Sequence, residues 1–153
     1  MQKNISIMLI DDNEIDLFIN QKTVESLNFN GAILSFSSGR GALNYLQLIE
    51  NMKGYRGIFS PQIILLEINM PDMGGFDFLD EFDKFKMAKE NLVLIFLLSC
   101  TINPYDLSKI INHKNVSGFI QKPLTAVKIV SQCESALKFK QKVKANNINF
   151  NHN

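Results

Sequence analysis

The sequence predicts an open, doubly wound α/β domain in which five parallel strands alternate with five helices. Two fully apolar runs, Ile63 to Leu66 and Leu92 to Leu98, lack the polar alternation of a half-exposed strand and suit a sheet covered on both faces. Between the apolar runs lie stretches with apolar residues at helical spacing, an order that calls for right-handed crossovers and a parallel sheet. A length of 153 residues supports one domain with a sizeable core and is short for two.

Composition narrows the function classes. With 46% hydrophobic and 20% charged residues, the chain reads as an ordinary globular domain. Net charge is +1 but unevenly spread: from Cys100 onward there are eight lysines against two acids, whereas the first 99 residues hold eight basic and thirteen acidic side chains. No aromatic or arginine interleaving accompanies those lysines, which argues for a solvated basic helix face rather than a nucleic-acid surface. The N-terminal apolar run, Ile5 to Ile10, is too short for a signal peptide or a membrane span, so a cytoplasmic location is expected. Cys100 and Cys133 match no metal or redox spacing and read as small core residues.

In chain order, Ile5 to Ile10, broken by Ser6, forms the first strand and ends in the adjacent pair Asp11-Asp12. Two neighbouring carboxylates at a strand end repel each other and are tolerated when a cation or a lysine neutralises them. A helix N-cap role would account for one aspartate but not for both. The helix from Glu14 to Leu27 carries Ile15, Phe18, Ile19, Val24 and Leu27 close to helical spacing, and Asn28 to Gly31 closes it. Ala32 to Phe36 is a short second strand. Ser37-Ser38 then offers caps for a helix with Ala42, Tyr45, Leu46 and Ile49 on one face, and Lys53 to Pro61 is loop.

The third strand, from Ile63, runs into Glu67 before a turn at Met70-Pro71-Asp72. Phe76, Phe78, Leu79, Phe82 and Phe85 predict an aromatic helix devoted to core packing. Leu92 to Leu98 is the fourth strand and ends in Ser99-Cys100-Thr101. Asn103 as cap, Pro104 at the first position and Asp106 in the first turn start the next helix, with Leu107, Ile110 and Ile111 as its apolar face. His113 and Lys114 suit that helix's C-terminal dipole, and His113 has no acid or cysteine nearby in sequence, so a surface or capping role is expected. Val116 to Ile120 is the last strand, followed by Gln121-Lys122-Pro123. The final helix shows Ala126, Ile129, Val130, Cys133 and Leu137, then Lys138, Lys140, Lys142 and Lys144 extend it into solvent. The sequence from Ala145, ANNINFNHN, predicts a disordered tail over 145–153 after a domain spanning 1–144.

If the strand order is the flavodoxin-like 2-1-3-4-5, the carboxyl ends of strands one, three, four and five meet at one edge, where α/β sheets collect their chemistry. Those ends supply Asp11, Asp12, Glu67, Ser99 and Lys122.

The segments LIDDNEID, LLEINMPDMGGFDFL, LLSCTINPYD and GFIQKP, in this order and spacing from about Lys3 to Lys140, resemble a response-regulator receiver domain, the phosphoacceptor module of two-component signalling. The resemblance implies phosphoryl transfer from a sensor histidine kinase to the carboxylate ending the third strand. It implies Mg²⁺ held by Asp11, Asp12 and the backbone carbonyl of Asn69, with Asp12 the preferred direct ligand. Ser99 would hydrogen-bond the bound phosphoryl group and Lys122 would pair with it. A cis peptide before Pro123 and an aromatic switch at Phe119 are further implications.

The departure is Glu67, which stands where the family has its phosphoacceptor aspartate. One extra methylene advances the carboxylate by roughly 1 Å, a misplacement that can cost on the order of a hundredfold, so ordinary phosphorylation is expected to be lost or severely reduced. Glu67 could reach Lys122 and Ser99 and partly imitate an acyl phosphate, or pair with Lys122 without moving Phe119 and give a fixed inactive scaffold. Asp11, Asp12 and Glu67 still offer three carboxylates, consistent with weak Mg²⁺ or Ca²⁺ binding. Gly74, where an acid is common, is expected to be harmless in a turn. No output domain is expected after Lys144. Output is then a protein contact on the surface around Phe119 and the last two helices, where the lysine excess suits an acidic partner.

Clustered acids, a cation and a lysine also serve metal-dependent phosphoryl transfer or phosphatase chemistry on the same fold. Haloacid-dehalogenase-type phosphatases use DxD after the first strand, whereas the acids here are adjacent; Toprim-type enzymes place glutamate and DxD in the reverse order. No glycine-rich phosphate loop follows the first strand, which argues against a flavin or nucleotide site. A non-enzymatic signalling role is therefore expected.

Overall fold

The computed structural model describes residues 4–52 and 60–150. The elements run β1 (Ile7–Ile10), α1 (Glu14–Glu25), β2 (Ile33–Phe36), α2 (Gly39–Glu50), β3 (Ile63–Glu67), α3 (Gly75–Phe82), α4 (Lys86–Lys89), β4 (Leu94–Ser99), α5 (Pro104–Asn112), β5 (Val116–Gln121) and α6 (Ala126–Phe150). All strand pairs are parallel, as the apolar runs and the helices between them predict, and the order is β2-β1-β3-β4-β5, the flavodoxin-like one considered above.

Side-chain alternation splits the core into two layers. Met8, Ile10, Ile64, Leu66, Ile95 and Leu97 pack with Leu46, Phe78, Phe82, Met87 and Ile110, so α2, α3, α4 and α5 cover one face. Ile7, Leu9, Ile63, Leu65, Phe96 and Leu98 pack with Val24, Ile129 and Ala136, so α1 and α6 cover the other. Asp11 and Glu67 continue the second register at the strand ends, which carries both carboxylates toward α1.

Local start signals behave as expected. Ser38 Oγ accepts the Gly41 N–H at 3.0 Å, and Asn103 Oδ1 accepts the Asp106 N–H at 2.8 Å with Pro104 in the first turn. The aromatic helix is core, as predicted: Phe78, Leu79 and Phe82 are buried. It ends at Phe82, however, and a one-turn α4 follows, giving six helices among the described residues rather than five.

Several expected apolar faces are corrected. Ile15, Phe18 and Ile19 are exposed, and α1 buries Asn20 and Val24 instead. The first half of α1 carries Ile15, Leu17, Phe18 and Ile19, so more than one face satisfies the helical period and packing selects one of them. In α5 only Ile110 is buried, Leu107 and Ile111 being exposed; in α6, Val130 and Leu137 are exposed while Ile129 and Ala136 are buried. Both helices cover the sheet near β5, an edge strand, where a narrow stripe is enough. Cys100 is exposed and Cys133 half-buried, so neither is a fully buried core thiol.

The last helix continues through Phe150, so residues 145–150 are helical where a disordered tail was expected. No Gly or Pro interrupts the sequence after Pro123, and extending a formed helix costs little. Residues 151–153 of that tail, and residues 53–59 of the expected Lys53–Pro61 loop, lie outside the described residues. Among the described residues no helix is long and apolar enough to cross a membrane.

Candidate functional site

Strand register brings the candidate residues to one edge. Ile10 pairs with Leu66, Glu67 with Leu98, and Ser99 with Gln121, so Asp11, Glu67, Ser99 and Lys122 end neighbouring strands or follow them directly. Gly75, at the start of α3, donates its N–H to Ile68 O at 2.7 Å. A Cβ there would lie 2.8 Å from Glu67 O and 2.9 Å from Ile68 Cα, so this close return of α3 beneath Glu67 needs glycine. The Lys122–Pro123 peptide is cis.

The centre of the site is the Lys122 ammonium. Nζ lies 2.5 Å from Glu67 Oε2, 2.7 Å from Asp11 Oδ2 and 3.0 Å from Asp16 Oδ2. Asp11 and Glu67 are buried, and so is most of the lysine side chain. The remaining buried oxygens are taken by backbone: Asp11 Oδ1 accepts the Asn13 N–H at 2.9 Å and Glu67 Oε1 accepts the Asn69 N–H at 3.1 Å. Burial alone would lower the lysine's pKa, but Asp11, Glu67 and Asp16 outweigh it and hold the group well above its ordinary value.

Ser99 is buried and lies beside this cluster without joining it. Its Oγ donates to Thr101 O at 2.8 Å and accepts Asn69 Nδ2 at 3.4 Å. Asp12 and Asn69 are exposed. Phe119 is half-buried and packs against the core layer that includes Leu97 and Ile110.

One reading of the first strand's end changes. Neither aspartate caps α1: Asn13 does, its Oδ1 accepting the N–H groups of Ile15 and Asp16. Asp16, in the first turn of α1, is a third carboxylate on Lys122. The available signal was its place in the first turn of the helix that follows Asp11-Asp12, but sequence alone does not show which way that turn faces.

The carboxylates do not fit a divalent ion as they stand, because every oxygen of Asp11 and Glu67 already meets an N–H or the ammonium. Among the described residues, the group with three potential ligands within 4.8 Å of one another is Asp80, Asp83 and His113, which includes none of Asp11, Asp12 and Glu67. His113 caps α5, as expected, but it does have acid partners, supplied by α3 and the residue after it: Nε2 lies 3.7 Å from Asp83 and 4.0 Å from Asp80. Its Nδ1 accepts the Asn115 N–H at 3.3 Å, which puts the neutral ring's proton on Nε2, facing the acids. A ligating histidine needs the opposite arrangement, so this group reads as a tertiary hydrogen-bonding clasp, joined by Asn115 Nδ2 donating to Asp83.

The comparisons agree with this geometry. A family model described as "Response regulator receiver domain" matches residues 7–134. The chain is 27% identical over 119 residues to the probable methanogenesis regulatory protein FilR2 of Methanothrix harundinacea, covering 78% of this chain and 72% of that protein. The crystal structure of a two-component response regulator from Cytophaga hutchinsonii superposes with a TM-score of 0.76 at 30% identity, over 89% of this chain and 99% of that one. A response regulator receiver protein from Dyadobacter fermentans, at 19% identity, shares the fold with a TM-score of 0.71 over 87% of this chain and 98% of its own. Receiver domains typically bind Mg²⁺ in an acidic pocket and interact with kinases and other signalling proteins. A parallel sheet in the order β2-β1-β3-β4-β5, with acids and a lysine gathered at its carboxyl edge, thus accompanies a family match over most of the chain: the protein belongs to the response regulator receiver domain family.

Proposed function

We propose that the chain acts as a receiver-like unit in two-component phosphorelay signalling, a pseudo-receiver with impaired phosphorylation that works through protein contacts. The receiver unit spans residues 1–144, and Glu67 holds the position of the phosphoacceptor. The observation that carries this reading is the 2.5 Å contact between Glu67 Oε2 and Lys122 Nζ. In-line transfer needs a carboxylate oxygen free to attack; here one oxygen is against the lysine and the other accepts the Asn69 N–H.

Of the two states open to such a glutamate, the fixed inactive scaffold is favoured. An imitation of the acyl phosphate would engage Ser99, yet Ser99 Oγ donates to Thr101 O instead, and Phe119 stays packed against the core. Ser99 and Lys122 keep the places of the phosphoryl pocket, with Ser99 and Phe119 as the switch pair. Any Mg²⁺ held by Asp11, Asp12, Glu67 and the Asn69 carbonyl would be weakly bound.

The partner is a sensor kinase or another signalling protein, met through the surface around Phe119 and the last two helices. Exposed Tyr105 and Ile111 of α5 and Val127, Val130 and Leu137 of α6 support that surface. Lys128 Nζ is engaged by the carbonyls of Gln121 and Pro123, both at 2.9 Å, so Lys138 is the cleaner probe of charge. Unchanged binding of an acidic partner by Lys138→Glu would count against an electrostatic contact there.

The test of the central claim is incubation with acetyl phosphate and Mg²⁺, followed by intact mass. A phosphoryl adduct is expected on Glu67→Asp and not on the native chain; an adduct stable on both would overturn the reading.

A further inference from the structure

Lys122 reaches its carboxylates from a turn: β5 ends at Gln121 and α6 begins at Ala126. Contacts at 2.5, 2.7 and 3.0 Å on the end of a flexible four-carbon stem demand a fixed starting point in the backbone. Two bonds tie that backbone to the end of β4, the Lys122 N–H donating to Ser99 O at 2.9 Å and Gln121 Nε2 to Cys100 O at 3.3 Å. From α6 it is tied by Lys128, whose Nζ donates to Gln121 O and Pro123 O, the carbonyls on either side of Lys122, at 2.9 Å each. Lys128 is half-buried and lies in the first turn of α6, the end of a helix where the macrodipole disfavours a cation. Two charge-assisted bonds to carbonyls offset that cost and hold the side chain in one place.

We propose that Lys128 is a positioning residue for the pocket: by clamping both carbonyls that flank Lys122, it fixes the backbone from which the Lys122 ammonium is presented to Glu67 and Asp11. The proposal rests on the pseudo-receiver reading, in which the Glu67–Lys122 pair fills the site, and adds the element of α6 that keeps the pair closed. Lys128 also stands between Val127 and Val130, both exposed, so the clamp ties the pocket to the helix face proposed for partner contact.

Charge and geometry predict opposite signs for one substitution. Lys128 and Lys122 carry like charges, so if Lys128 acted only through its charge, removing it would seat the Lys122 ammonium more firmly among its acids. If Lys128 positions the turn, removing it frees the ammonium. Hydrogen exchange of the Lys122 ammonium with water, read from its ¹H–¹⁵N signal in the ¹⁵N-labelled whole chain at fixed pH, measures this directly. Lys128→Met, a substitution that suits a helix, is expected to speed that exchange about three- to tenfold, the scale of one net hydrogen bond. Lys128→Arg keeps N–H donors for both carbonyls and is expected to leave the ammonium protected. Backbone amides of β3 should exchange at the native rate in both variants, since the clamp touches only the turn.

Unchanged or slower ammonium exchange in Lys128→Met overturns the proposal, as does an ammonium that already exchanges freely in the native chain. An equal rise in the β3 amides, or a Lys128→Arg chain as unprotected as Lys128→Met, would mean general loosening and would overturn it too. Failure here is distinct from failure of the pseudo-receiver reading. An acetyl-phosphate adduct on native Glu67 would remove that reading without altering ammonium exchange, which is read with no phosphoryl donor present, and unchanged exchange would leave the absence of an adduct intact.

Discussion

Glu67 Oε2 and Lys122 Nζ stand 2.5 Å apart, with the two side chains only 7% and 9% exposed. The pair joins the central strand β3 to the turn after the edge strand β5, so it closes the carboxyl edge of the sheet as well as filling the pocket. Removing one member of such a pair leaves a charge that neither water nor another cation compensates.

Lys122→Met is therefore expected to lose about 3 to 5 kcal/mol of stability in the absence of divalent ions, measured by urea unfolding. A loss below about 1 kcal/mol would show that solvent reaches Asp11 and Glu67 far more freely than their burial implies.

The same lysine sets an alkaline limit. Burial opposes its charge, but three carboxylates raise its folded-state pKa above the ordinary lysine value of 10.5. The folded state thus holds the proton more tightly than the unfolded chain does. The stabilisation is present in full below pH 10.5 and is lost as pH rises through the higher folded-state pKa. Thermal midpoints of the native chain on either side of that value should fall with pH, and more steeply than those of Lys122→Met. Parallel curves would contradict the assignment.

On α1, Phe18 and Val24 test which face is packed. Phe18 is 62% exposed, whereas Val24 is fully buried under β1. Phe18→Ser is expected to change stability by less than about 0.5 kcal/mol. Val24→Ala should cost about 2 kcal/mol, from lost burial and the cavity left behind. The reverse ranking would mean that α1 is rotated toward the face its sequence periodicity suggests.

Gly75 is expected to resist even the smallest side chain. A methyl group there meets the backbone of Glu67 and Ile68 at under 3 Å, and backbone gives way less readily than a side chain. Gly75→Ala should cost about 1 to 3 kcal/mol by overpacking and should move the turn that follows Glu67. Amide hydrogen exchange at Asn69, whose N–H is bound to Glu67 Oε1, reports that movement. Gly74, one residue earlier, has its nearest added contact at 3.4 Å and should accept alanine with little change.

The sequence by itself determined the parallel sheet and the strand ends where chemistry collects. Unalternated apolar runs such as Ile63 to Leu66 can be satisfied only between two layers, and each ends at a residue whose register follows from the run itself. That is why Asp11, Glu67, Ser99 and Lys122 could be placed at strand ends from the chain alone, and the order β2-β1-β3-β4-β5 then brings them to one edge. Tertiary structure decided what lies between the strands and how each helix is rolled. Helical periodicity in α1 admits more than one buried face, and only packing against β1 turned Val24 inward, Ile15 and Phe18 outward, and Asp16 onto Lys122. His113 likewise met Asp80 and Asp83 across a contact that sequence separation conceals. Strand ends are set by local chain, but ion-pair partners are set by helix rotation, and helix rotation is a property of the whole core.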